Sequence, residues 1–220
     1  MSWGAWILLF CMILLGLRIL THIPAPAPAT TTLGKIVKPV WRFVAWIGRL
    51  LAKINPVWDV LNIILGIGLG IYTGVLLSTI PARPLWDSLM LPVLFLVSGL
   101  ASGCALIFLV LPSNQVKQLA GYAFGISVVE LLTIGGYLAT LALGSEATQR
   151  ALELLLSDYA LAFWGVVVLI GLVVPLIIEF VEMRGRHMSA ALIRLAPILV
   201  LVGGLALRFV VLYAGLESYI

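Results

Sequence analysis

Two ionisable residues stand inside long apolar stretches of the sequence, where a charge is costly. Glu130 lies about ten residues into one stretch, and Arg208 about six residues before the end of another, roughly 9 Å along a helix. An ionised carboxyl at that depth must be protonated, paired or hydrated. Glu130 is therefore a candidate proton relay or a structural pair. Arg208 either snorkels to the membrane surface or pairs with an acid inside the bundle.

A polar stripe precedes these residues in the chain. At 100° per residue, Asn62, Tyr72 and Thr73 fall with Asp59 in one arc of roughly 140° of a helix. A ridge of glycines beside this arc recurs every four residues, at Gly66, Gly70 and Gly74. Such a small-residue ridge lets another helix approach closely. The stripe can hold a head group that needs hydrogen bonds, or its hydroxyls can bond to neighbouring helices.

The residue types needed for a haem or an iron–sulfur cluster are scarce. The two histidines, His22 and His187, lie at span ends rather than in mid-span, where axial ligands of a b-type haem would project. Cys11 and Cys104 stand alone in separate stretches, with no cluster spacing. We therefore expect no haem, no iron–sulfur cluster, no metal site and no hydrolytic site in this protein.

The composition decides which elements position these residues. Of the 220 residues, 63% are hydrophobic and only 10% charged, with a mean hydropathy of +1.20. Soluble domains carry about 25% charged residues. The net charge of +4 is spread over loops facing a membrane and does not indicate nucleic-acid binding. The sequence predicts an all-α fold, a polytopic transmembrane helix bundle.

Six spans are predicted in a single transmembrane domain, because only helices satisfy their backbone groups in lipid unless a barrel closes. They cover residues 3–20, 56–80, 85–111, 121–143, 159–181 and 191–214. Residues 21–55 are predicted to form a Pro-rich linker followed by a basic, aromatic helix on the lipid surface. Its lysines and arginines would contact anionic membrane lipids.

Basic residues indicate the orientation, because cytoplasmic loops are enriched in Lys and Arg. They concentrate in the connections after the first, third and fifth spans. We therefore predict the 21–55 connection in the cytoplasm and both termini outside. Arg18 and Glu179 lie near the predicted inner ends of spans, and we interpret them as snorkelling anchors.

Several sequence runs resemble a known family. Gly70–Ser78, Pro84–Asp87 and Leu91–Leu100, with the opening Met1–Leu8, are similar to the polysulfide reductase membrane-subunit family (NrfD-like). The resemblance extends over nearly the whole chain. The family's equivalent of Met1–Leu8 opens its third span, so by this resemblance the chain lacks the two N-terminal spans. A misassigned start, a split gene and a truncated remnant are the three explanations, and an incomplete quinone pocket is one consequence to consider.

The resemblance implies a function. Family members are haem-free anchors in the inner membrane of prokaryotes. They bind quinone or quinol beside an iron–sulfur ferredoxin-like subunit, which connects it to a molybdopterin-type catalytic subunit. Tyr72 matches a quinone-contacting position, and with its neighbours on the polar stripe the expected quinone site is Tyr72, Thr73 and Asn62. Glu130 and Arg208 match positions associated with proton movement.

Three functions remain open at this point. The leading hypothesis is a quinone-interacting membrane anchor that exchanges electrons with an iron–sulfur partner and converts no other substrate itself. A small-solute or ion transporter is the second, since glycine-rich spans and a buried Glu occur there too. An inert membrane scaffold, or a truncated remnant, is the third.

Overall fold

The computed structural model describes residues 3–22, 43, 46, 55–80, 82–185 and 189–218. Within these ranges all regular structure is helical, which confirms the predicted all-α class. Most of the predicted linker and interfacial helix lies outside the described residues. Phe43 and Trp46 of that segment are described, and their rings stack with centroids 6.1 Å apart.

Seven α-helices and one π-helical segment have both of their ends within the described residues. They are α1 (Trp3–His22), α2 (Asn55–Ser78), α3 (Met90–Val110), α4 (Ser113–Ala142), α5 (Glu146–Ser157), the π segment (Leu161–Val173), its continuation α6 (Val174–Met183), and α7 (Ala190–Glu217). The short helix α5 marks one end of the bundle, the α5 end. The turn after α6 marks the opposite end, the Arg184 end.

Five of the described helices are long and apolar enough to cross a membrane. These spans are Val57–Ser78, Met90–Val110, Leu119–Ala142, Leu161–Met183 and Ala191–Glu217. Part of α1, Trp3–Gly16, is a shorter apolar helix. Apart from the start of the third span, the bounds lie within about three residues of the predicted ones, because the apolar length needed to cross a bilayer is a strong constraint on sequence.

The chain divides into two compact units, Met1–Leu69 and Gly70–Ile220. In the first unit, Arg18 of α1 forms an ion pair with Asp59 of α2, with Nη2 and Oδ1 3.1 Å apart. Arg18 is therefore held by a carboxylate on a neighbouring helix, and the prediction that it only snorkels was incomplete.

The second unit contains the main core, which is built where the π segment, α3, α4 and α7 meet. Its fully buried members include Leu91, Leu94, Tyr137, Phe163, Leu207 and Val211. The π segment and α7 cross at Gly171 and Gly203, where a Cβ on either glycine would overlap the other's backbone. Glycine at both positions permits this crossing.

The third span begins later than predicted. Residues 85–89 form turns, and α3 starts at Met90. Leu85 and Trp86 are nevertheless buried, because the turn folds over the α5 end of the bundle. The Trp86 indole donates to the carbonyl of Val211 (2.9 Å), and the Tyr137 hydroxyl donates to that of Leu85 (2.8 Å). The apolar run was mistaken for helix because burial, and not lipid contact, explains its composition.

Helix α5 was not predicted either. Ser145 caps its first turn by accepting a hydrogen bond from the Thr148 amide (3.4 Å), as Ser does at helix N-caps. The helix turns Thr148, Ala151 and Leu155 inward and leaves its charged residues exposed. It is amphipathic and too short to span, so hydropathy alone assigned it to a loop.

The π segment was not predicted from the sequence, which indicated an ordinary α-helix here. Its hydrogen bonds include one from the Val174 amide to the Leu169 carbonyl, five residues back. Buried side chains in this segment, such as Phe163 and Val167, recur every four or five residues. In α6 they recur every three or four, as at Ile178 and Glu182. The wider turn therefore sets which residues of α6 face the bundle.

Candidate functional site

The end of α2 packs closely on the beginning of α3. A Cβ on Gly74 would run into the backbone of Pro92, and one on Gly70 would lie 2.9 Å from Cδ1 of Leu96. The predicted packing ridge is thus seen at these two glycines, whereas Gly66 faces open space. This contact fixes the position of Thr73, which lies between the two packed glycines in sequence.

A groove of about 270 Å³ opens beside this contact, in the half of the bundle nearer α5. It is lined by Thr73, Leu76, Leu77, Phe95, Arg208 and Leu212. The residues come from α2, α3 and α7, each of which is a candidate membrane span. The groove is therefore a mostly apolar recess in the membrane-spanning part, with one cation and one hydroxyl in its lining.

The guanidinium of Arg208 is directed into the bundle and does not snorkel. Its Nη1 donates to the carbonyl of Gly204, one turn earlier on α7 (2.9 Å). A Cβ on Gly204 would lie 3.4 Å from Nη1, and one on Gly99 of α3 would lie 3.7 Å from Nη2. Two glycines therefore leave the space that the guanidinium occupies. A guanidinium carries five N–H donors, so it has further donors besides the one that the Gly204 carbonyl accepts from.

Thr73 contributes less than its position suggests. Its hydroxyl donates to the carbonyl of Gly70 (3.2 Å), which uses its only proton. It can still accept a hydrogen bond. In this groove Arg208 is consequently the donor available to a ligand, and Thr73 is an acceptor or a steric boundary.

Glu130 lies next to Arg208 in the interior. Its side chain is 7% exposed, and the charges of Glu130 and Arg208 attract each other although the two residues form no direct ion pair. The fully buried hydroxyl of Ser98 on α3 lies beside the carboxyl without a hydrogen bond of ordinary length and angle. Arg208 thus faces both the groove and the buried acid.

Glu179 corrects an expectation from the sequence. It was interpreted as an anchor at a span end, but it is 8% exposed and accepts a hydrogen bond from Ser127 of α4 (2.8 Å). Glu182 is buried as well. The sequence did contain a sign that these acids face the interior. Ser127 and Glu130 are three residues apart, and so are Glu179 and Glu182 on another helix, so each pair lies on one helix face.

The other two predicted quinone residues lie outside the groove lining. Tyr72 is half-buried, one residue from Thr73 and therefore about 100° around α2. Asn62 belongs to the other compact unit, where its amide donates to the carbonyl of Trp58 (2.9 Å). The structure brings Thr73 and Arg208 together, and the roles of Tyr72 and Asn62 stay predictions.

The described residues contain no group of three or more His, Cys, Asp or Glu side chains that could hold a metal ion. The fold and the groove together define the class: a multi-pass helical membrane protein with a cation-lined recess between its spans and a line of buried acids behind it.

Comparison with known proteins identifies the family within this class. The family model described as "Polysulphide reductase, NrfD" matches residues 1–218. The chain belongs to this family, which confirms the resemblance seen in its motifs.

Three curated proteins are similar to this one. The C subunit of polysulfide reductase from Wolinella succinogenes is 31% identical over 186 residues, spanning 79% of the present sequence and 58% of that protein. The NrfD homolog of Haemophilus influenzae is 36% identical over 172 residues (74% and 53%). Protein NrfD of Escherichia coli is 33% identical over 181 residues (76% and 56%). The chain spans a little over half the length of these relatives, and no solved structure matches it.

Proposed function

We propose that the chain is a quinone-interacting membrane anchor subunit of a multi-subunit oxidoreductase in the prokaryotic inner membrane. The relative from Wolinella succinogenes is named as one component of a polysulfide reductase, which supports a role beside catalytic subunits. The proposed partners are an iron–sulfur ferredoxin-like subunit, which exchanges electrons with the quinone, and a molybdopterin-type catalytic subunit. The basic segment before α2 would hold the protein against membrane lipids.

The groove is the observation that carries this proposal. A quinone head group is a flat ring with two carbonyl acceptors, and it reaches its site from the bilayer. The groove offers apolar walls around Phe95 and a guanidinium donor in Arg208, and its 270 Å³ is close to the lower end of the roughly 300–1,000 Å³ of ligand pockets. A hydrogen bond from a cation in a water-poor recess is stronger than one in water.

Quinone chemistry also needs protons. Reduction of a quinone to a quinol adds two electrons and two protons, and oxidation releases them. Arg208 holds its protons too firmly to supply or take them. Glu130 is the buried acid next to it, and we assign it the proton exchange. Arg208 would then orient the quinone, and its positive charge would attract the Glu130 carboxylate that receives a proton from quinol.

Variants of Arg208 test the proposal in the purified complex. Arg208→Lys keeps the charge but removes the planar fork, and Arg208→Gln removes both charge and fork. A lost hydrogen bond from a charged donor costs about 1.5–3 kcal/mol, roughly a tenfold to hundredfold loss of quinone affinity. The measurement is quinol-dependent turnover, beside turnover with a soluble dye that delivers electrons directly to the partner subunits.

The expected result is a loss in quinol-dependent turnover with dye-dependent turnover unchanged. Arg150→Gln, on the exposed surface of α5, is the matched control and should leave both activities unchanged. Tyr72→Phe and Thr73→Val, measured in the same way, separate the residue predicted from the family motif from the one that lines the groove. Equal loss of both activities in the Arg208 variants, or no loss, would contradict the assignment of the groove.

A further inference from the structure

Three buried carboxyls lie on facing helices behind the groove. Glu130 is on α4, and Glu179 and Glu182 are one turn apart on α6. The charges of Glu130 and Glu182 both act on Glu179, which therefore connects the other two electrostatically. They also differ in depth, because Glu130 lies in mid-span and Glu182 lies two residues from the Arg184 end. The acids therefore extend from the groove toward one side of the membrane.

Two serine hydroxyls lie beside these acids. Ser127 donates to Oε2 of Glu179 (2.8 Å) and is three residues from Glu130 on the same face of α4. Ser98, on α3, is fully buried beside Glu130 and has no hydrogen-bond partner of ordinary geometry. A hydroxyl can donate and accept at once, and its proton rotates freely. Ser127, which is bonded to Glu179 and lies on the same face of α4 as Glu130, is thus able to pass a proton between these two carboxyls.

A small cavity adjoins the Ser127–Glu179 pair. It has a volume of about 10 Å³, close to what one water needs, and its lining includes Ser127, Glu179, Cys104, Pro197 and Val200. Pro197 has no amide proton, so the carbonyl one turn before it on α7 lacks a helical donor. Polar groups and space for one water occur together here, inside an apolar bundle.

We propose that Glu179 is a proton-relay residue that connects Glu130, through Ser127, to the Arg184 end of the bundle. The inference rests on the proposed quinone function of the groove. Its consequence is directional. Protons exchanged with quinone near the α5 end come from, or go to, the opposite side of the membrane, which the distribution of basic residues predicts to be the cytoplasm.

The balance of the step is simple. When quinol is oxidised, two electrons pass to the iron–sulfur partner and two protons leave the quinol oxygens. Each proton binds the Glu130 carboxylate, moves through the Ser127 hydroxyl to Glu179, and leaves past Glu182, so that every acid returns to its starting state. Reduction of quinone reverses each transfer.

The polar and ionisable groups that face Glu179 determine how its protonation responds to pH. They are Ser127 and Glu130 on α4, Cys104 on α3, and Glu182 on its own helix, while the facing residues of α7, Pro197 and Val200, carry no charge. A purely structural role is the alternative, in which the Ser127–Glu179 bond only ties α4 to α6. Glu179→Gln distinguishes the two roles, because the amide oxygen still accepts from Ser127 but the side chain no longer carries a proton.

The experiment uses the whole complex in sealed vesicles, with a pH dye inside and outside. We expect Glu179→Gln to lower quinol-dependent turnover several-fold and to abolish its linked pH change on the Arg184 side, while Glu179→Asp restores part of both. Quinone binding and dye-dependent turnover should match the unmodified complex. Glu153→Gln, on the exposed face of α5, is the control and should change nothing.

A second measurement does not depend on quinone. Infrared spectra of the complex should contain a protonated-carboxyl band that shifts in D₂O and is absent in Glu179→Gln. Normal turnover and normal pH changes in Glu179→Gln would overturn the relay while leaving the groove untouched. Failure of the unmodified complex to bind quinone would instead overturn the proposed function, so the two failures are distinguishable.

Discussion

Tyr137→Phe is the sharpest test of how the α5 end is held together. Tyr137 is fully buried, and its hydroxyl donates to the carbonyl of Leu85 in the turn before α3 (2.8 Å). The substitution keeps the ring and its packing but leaves that carbonyl buried without its donor. Loss of such a bond costs about 1–3 kcal/mol, which lowers the folding equilibrium constant about fivefold to more than a hundredfold.

The assay is equilibrium unfolding of the purified protein in mixed micelles, with increasing sodium dodecyl sulfate. Tyr122→Phe is the matched control, because Tyr122 lies on the same helix with 72% of its surface exposed. We expect Tyr137→Phe to be destabilised by the amount above and Tyr122→Phe to stay within about 0.5 kcal/mol of the unmodified protein. Equal stability of the two variants would refute the assignment of Tyr137 as the tie to the turn.

Three other predictions follow from the fold and the sequence. Gly203→Ala places a methyl group against the crossing helix and should cost about 1–3 kcal/mol or more, whereas Gly103→Ala, which faces open space, should be neutral in the same unfolding assay. In a cysteine-free background, a cysteine replacing Glu153, which is exposed on α5, should react with an impermeant reagent from outside intact cells, and one replacing Lys38 should not. The protein should contribute no haem spectrum, and a b-type signal that disappears in His187→Ala would contradict this.

The spans were predictable because membrane crossing imposes a length and a composition on each of them. The span Leu119–Ala142 differs from the predicted 121–143 by at most two residues. Glu130 could also be recognised from the sequence as a candidate functional residue, since a carboxyl inside an apolar span is costly and is rarely found without a role. Both features follow from the lipid environment, which favours apolar side chains and disfavours charged ones at every position of a span.

The details of the groove could not be predicted, because they depend on contacts between helices distant in sequence. Thr73 and Arg208 lie on α2 and α7 and meet only through packing against α3. Glu179 looked like a surface anchor because its partner Ser127 is on another helix. The sequence placed Leu85 in a span because an apolar residue that is buried under a turn cannot be told by its type from one that faces lipid.

The π segment also determines the phase of the residues that follow it. Each residue of an α-helix turns the backbone by 100°, so a single deletion that returned Leu161–Val173 to ordinary α-helical winding would rotate α6 relative to α4. Glu179 would then leave Ser127 although neither residue had changed. Which acid of α6 faces α4 therefore depends partly on how many residues the π segment contains. An insertion or deletion in that segment of a related sequence would change which carboxyl meets Ser127.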